Sequence, residues 1–159
     1  MARALIVGCG CRGRMLGGRL LDDGWAVRGT SRRDEGLAAI RDAGIEAAIA
    51  DPLWPGTVLG LVADVTLVLW LLGSTGPGRE ELHGERLERL LERLVDTPVR
   101  GFLYEAAGSA GVDALAAGRR AVEVAAARWR IPAEVVVADP SDPPSWATEM
   151  EAACRRLVS

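Results

Sequence analysis

The residues best suited to chemistry form one short run, Gly8-Cys9-Gly10-Cys11-Arg12-Gly13. It follows an apolar stretch at 4–7 and opens a segment, 12–23, with the apolar spacing of a helix. Glycines at these three spacings, set between a strand and a helix, suit the pyrophosphate of a dinucleotide. Gly8 would allow the tight turn, Gly10 would let the backbone approach the phosphates, and Gly13 would let the helix pack on the sheet. The helix N-terminus would add free amides and a partial positive charge. A glycine turn that only joins two elements is the competing reading. Gly17 and Gly18 are costly inside a helix and point to close packing there. Cys9 and Cys11 lie where a helix could lower a thiol pKa. The favoured reading is that the loop needs small side chains and cysteine is a small apolar residue.

A second set follows the next apolar stretch: Thr30-Ser31-Arg32-Arg33. An NAD site usually carries an acidic residue here for the ribose 2′-hydroxyl. Two guanidiniums and two hydroxyls instead suit a 2′-phosphate, which arginine can grip bidentately. The expectation is NADP, with NAD as the alternative if Asp34 or Glu35 reaches the ribose while Arg33 is solvated.

Other chemistries are excluded by count. The 159 residues include 19 basic side chains, and every one is arginine; Lys, Asn and Gln do not occur. Schiff-base chemistry, a P-loop lysine and a Tyr-Lys dyad are therefore out of reach. Bias toward G- and C-rich codons explains the missing lysines better than heat adaptation, which would use Lys freely. Three cysteines give no disulfide framework. The single histidine, His83, leaves too few ligands for zinc, so no metal site is expected. It is expected at the start of a surface helix, inert, within a solvated Glu/Arg run at 79–93. A net charge of -3 argues against nucleic acid and anionic membranes as partners. The longest largely apolar stretch, 65–72, broken only by Thr66, is far too short to span a bilayer, and no signal peptide is read, so a cytoplasmic protein is expected.

The elements that must position these groups alternate. Strands are expected at 4–7, 25–30, 45–50, 65–72, 99–104 and 134–138. Helices are expected at 12–23, 34–43 (Asp34 as N-cap, Gly44 past the end), 55–63, 112–129 and 143–158, with another on the Leu87, Leu90, Leu91, Leu94 repeat. On the long helix, Leu115, Val122, Ala126 and Trp129 share a face; on the last, Trp146, Met150, Cys154 and Leu157 point inward. Six strands separated by helices predict an α/β, doubly wound parallel sheet of order 3-2-1-4-5-6 with helices on both faces, a Rossmann fold. At roughly 100–200 residues per domain, residues 1–159 read as one domain.

The opening stretch ALIVGCGCRGRMLGGRLLDDGWAVRGTSRR resembles the short-chain dehydrogenase/reductase superfamily, especially its extended and atypical members. Its glycine spacing departs slightly from the commonest pattern there. The resemblance implies that Asp51, within AIADP at the end of the third strand, touches the adenine amine, and that Leu71, Leu72 and Gly73 line the adenine-ribose side. AGRRAVEVAAARWRIPAEVVVADP resembles the family's catalytic helix and following strand, but its Tyr and Lys positions fall on Ala117 and Ala121. Gly118, Arg119 and Glu123 match family choices around them. Tyr104-Glu105-Ala106-Ala107 stands where members often carry a catalytic Ser. The fold resemblance thus covers nearly the whole chain while the catalytic signature is missing, and the substrate region of extended members has no counterpart.

Two alanines cannot move a proton or tune one. The catalytic residues are unknown, with Glu105 and Tyr104 as weak candidates: Glu105 as a base at the mouth, or more simply as a solvated or Arg-paired carboxylate. Three functions stay open. The first is a non-catalytic NADP-binding sensor or subunit. The second is an NADP-dependent oxidoreductase or epimerase with unorthodox residues, acting on a small molecule in a site completed by a second subunit. The third is an interaction scaffold that has lost its cofactor. A homodimer through helix 112–129 would cover the mouth.

Overall fold

The computed structural model describes residues 2–76 and 78–159. Strand β1 (Arg3–Val7) leads into α1 (Cys11–Asp22), β2 (Ala26–Ser31), α2 (Asp34–Asp42), β3 (Glu46–Ile49), α3 (Pro55–Leu59) and β4 (Leu67–Trp70). A 3-10 turn at Glu80–His83 precedes α4 (Glu85–Leu94), β5 (Gly101–Glu105), α5 (Val112–Trp129), β6 (Ala133–Val136) and α6 (Pro143–Val158). All five strand pairings are parallel and the order is 3-2-1-4-5-6, as expected.

Alternation along the strands divides the core. Ala4, Ile6, Leu67, Leu69 and Leu103 face α1, α2 and α6. Leu5, Val7, Val68, Trp70, Phe102 and Tyr104 face α3, α4 and α5. Central strands buried on both faces read as unbroken apolar runs, which is how residues 67–72 appear in the sequence. The same two-residue period carries Glu105 onto the face of Leu103, toward α1 and α6.

Several details differ from expectation. Asp34 is the first residue of α2 rather than its cap; Arg33 occupies that position, and no side chain caps the helix. The Glu105 end extends β5 by one residue, while the fourth strand stops at Trp70, freeing Leu71 and Leu72 for the loop beyond it. Helix α3 is shorter than expected, giving way at Gly60. On α5, the buried line is Leu115, Gly118, Ala121, Val122 and Ala125, so Ala126 and Trp129 flank the face rather than define it. Gly17 is closely packed, since a methyl there would meet the Ile45 side chain, but one at Gly18 would meet nothing within 4 Å. Close packing therefore explains the first glycine and not the second.

Candidate functional site

The carboxyl ends of the strands open into a crevice of about 440 Å³. Its floor is the loop between β1 and α1. Gly8 turns the chain at φ 89°, and a side chain there would collide with the Leu71 carbonyl and the Leu72 side chain. Gly13 lies 3.0 Å from the Gly8 carbonyl and 3.4 Å from Ile6 measured from an ideal Cβ, so helix and strand approach closely there. Gly10 is different: it lines the crevice, and a methyl on it would meet nothing within 4 Å. The first backbone bond of α1 runs from Arg14 N–H to the Gly10 carbonyl (2.8 Å). The amides of Cys11, Arg12 and Gly13 therefore lack intrahelical partners, as the start of a helix requires.

Four guanidiniums line the crevice: Arg12, Arg14, Arg32 and Arg79. No carboxylate does so among the described residues. In a chain of net charge -3 this is a local reversal of sign. Arg12 donates to Ser74 Oγ (3.1 Å) and lies over the Trp146 ring (5.5 Å). Its Nε is buried without a hydrogen-bond partner among the described residues, as are Nε and Nη2 of Arg79.

At the β2 end, Thr30, Ser31 and Arg32 line the crevice, but Arg33 does not. The Ser31 hydroxyl accepts from Arg33 N–H (3.1 Å) and donates to its carbonyl (3.0 Å), shaping the turn into α2. Asp51 also stands behind the lining, its Oδ1 accepting from Leu53 N–H (3.0 Å). Leu71 and Leu72 line the crevice, whereas Gly73 turns toward β5.

Glu105 is not a solvated group at the mouth. It is fully buried, Oε1 accepting from Gly73 N–H (2.9 Å) and Oε2 from the Trp146 indole (2.7 Å), with Arg12 Nη2 3.9 Å away. Burial raises its pKa, while those two donors and Arg12 oppose the rise. One carboxylate thus ties the loop after β4, helix α6 and the start of α1 together.

His83 is likewise no surface residue. It is buried, with Nε2 3.0 Å from the Leu72 carbonyl and Nδ1 2.6 Å from the Tyr104 hydroxyl. A carbonyl only accepts, so Nε2 carries the proton and the Tyr104 hydroxyl donates to Nδ1. Burial lowers the His83 pKa and raises that of Tyr104, consistent with both being neutral. Tyr104 packs against Gly118, where a methyl would collide with the phenol ring. Cys9 is buried beneath Gly29, its thiol pushed up to about 12 by desolvation, which opposes a redox role; Cys11 is exposed.

Sequence reasoning missed Arg79, Arg14 and Trp146 as crevice residues. Arg79 lies inside a charged run, and nothing local distinguishes it from its neighbours. Trp146 was readable as inward-facing but not as the partner of Glu105.

No family model and no curated protein matches the sequence. Similar solved structures do exist. UDP-glucose 4-epimerase with UDP-glucose from Thermotoga maritima superposes with a TM-score of 0.66 at 12% identity, over 84% of this chain and 54% of that one. Citrobacter sp. triphenylmethane reductase complexed with NADP(H) gives 0.63 at 19% identity, over 85% and 48%. BdcA from E. coli gives 0.66 at 15% identity, over 96% and 93%. The chain spans about half the length of the first two. At these identities the likeness establishes the Rossmann-like fold.

Proposed function

We propose that this chain is a nicotinamide-dinucleotide-binding protein of the short-chain dehydrogenase/reductase type, with NADP as its preferred cofactor and no standard catalytic dyad. The observation that carries the reading is the arginine-lined, carboxylate-free crevice over the glycine loop. The residues fit the cofactor. Gly10 leaves the space that a pyrophosphate needs, and the free amides at the start of α1 favour anions. Arg12 and Arg79 hold buried N–H groups that lack acceptors among the described residues. Ser31 and Arg32 line the crevice at the end of β2, and their hydroxyl and guanidinium would suit a ribose 2′-phosphate. The NADP(H) in the Citrobacter reductase supports the choice of cofactor class.

When bound, the cofactor would supply hydride chemistry. The groups that could move the accompanying proton are engaged elsewhere: Tyr104 donates to His83, and both oxygens of Glu105 accept from the protein. This favours a sensor or cofactor-binding subunit over the oxidoreductase or epimerase reading. Glu105 is assigned a positioning role, holding Trp146 and the Gly73 loop beside Arg12. A homodimer through α5 is part of the proposal, since Val112 and Val124 stand exposed on that helix.

Titration of the pure protein with NADP and NAD tests the reading. NADP is expected to bind at least about tenfold tighter, the scale of a lost charged hydrogen bond. Equal affinity would remove the preference, and binding of neither would favour an interaction scaffold. Turnover of NADPH with a carbonyl panel would establish the enzyme instead.

A further inference from the structure

Arg79 belongs to no motif. It lies in the loop between β4 and the 3-10 turn and lines the crevice. Two of its guanidinium atoms, Nε and Nη2, are buried and have no hydrogen-bond partner among the described residues. These are the two nitrogens whose N–H bonds lie parallel along one edge of a guanidinium, the edge that meets an oxyanion in a two-point fork. The nearest opposite charge, Asp51 Oδ1, stands 3.8 Å from Nη2, too far for a hydrogen bond.

The location narrows the oxyanion. Asp51 follows β3, which pairs with β2 through Ser31 and Ile49, and Ala50 N–H donates to the Ser31 carbonyl (3.0 Å). Arg79 therefore reaches the β2–β3 end of the crevice, where Ser31 and Arg32 lie. Arg12 stands at the other end, with Ser74 and Trp146. We propose that Arg79 is a specificity-determining residue, its Nε and Nη2 forming a fork that grips the 2′-phosphate of a phosphorylated adenosine. This rests on the dinucleotide reading above. Arg32 reaches the same phosphate from the exposed side of the crevice, so the phosphate lies between two cations; with plain NAD, Arg79 keeps only its 3.8 Å ion pair to Asp51.

The test compares wild type, R79A and R79K for binding of NADP, NAD and adenosine 2′,5′-bisphosphate, each followed by calorimetry. R79A is expected to lose about tenfold or more for NADP and for the bisphosphate and to change less than about threefold for NAD. R79K should recover only part of the loss, because an ammonium offers no fork. A thermal melt equal to that of wild type shows that the variant folds; if R79A is impaired there, R79K alone decides, by losing NADP affinity more than NAD affinity. Equal losses for NADP and NAD, or no loss, would overturn the fork while leaving the dinucleotide reading intact. Failure of wild type to bind any of the three ligands would overturn both.

Discussion

Gly8 and Gly10 differ in what they do, although they are two residues apart. Gly8 has φ 89° and backbone pressed against it, so Gly8→Ala should destabilise the fold by about 1–3 kcal/mol in a denaturant titration. Gly10→Ala should leave stability within about 1 kcal/mol, yet weaken NADP binding at least about tenfold, because Gly10 lines the crevice. The reverse pattern would place the binding crevice elsewhere. His83 gives a second test at this scale. Burial holds its pKa below the ordinary 6.5, so on acidification the unfolded chain takes the proton first. The stability tied to its neutral ring is present above about pH 6.5 and is lost as pH falls through the lower folded-state value. Glu105 acts with opposite sign, since its pKa is raised above 4.5 and its contribution is lost as pH rises. Comparing wild type with His83→Phe across this range isolates the histidine. The variant should be less stable by about 1–3 kcal/mol at neutral pH, with the Leu72 carbonyl and Tyr104 hydroxyl unpaired, and the difference should shrink as pH falls below 6.5.

At the scale of elements, two helical glycines should respond oppositely to alanine. Gly18 is central in α1 with open space beside it, so Gly18→Ala should stabilise by about 0.5–1 kcal/mol in thermal or urea melts. Gly118 lies on α5 against the buried Tyr104 ring, so Gly118→Ala should cost about 1–3 kcal/mol. The sequence distinguishes neither, because helical pattern alone does not say what faces a glycine. What it does reveal is periodic. The leucines at 87, 90, 91 and 94 are all buried on α4, and the sheet order follows from alternation of strand and helix. The glycine loop is legible because its spacing and its neighbours agree. Contacts distant in sequence are not: His83 meets Tyr104 across 21 residues, and Glu105 meets Trp146 across 41. One signal was available for Glu105. Extending the alternation past Leu103 places it on a buried face, although it lies at the strand's end.

Over the whole molecule, charge is distributed against the total. A crevice with four arginines sits in a chain of net charge -3, so attraction for an anion is local rather than global. Affinity for NADP should fall as salt is raised through about 0.15 M, and more steeply than affinity for NAD, which has the smaller charge. A salt-independent NADP affinity would contradict ion pairing in the crevice. Light scattering across concentrations tests the α5 dimer, and a monomer throughout would remove it. The tie between Glu105 and the Trp146 indole has an optical consequence. That ring is 1% exposed, lines the crevice wall and carries a guanidinium over its face. A ligand that draws Arg12 away from it would alter the field across the excited indole. The emission of Trp146, read against a variant in which only that ring is replaced, would then report occupancy by even a colourless nucleotide fragment, without a label.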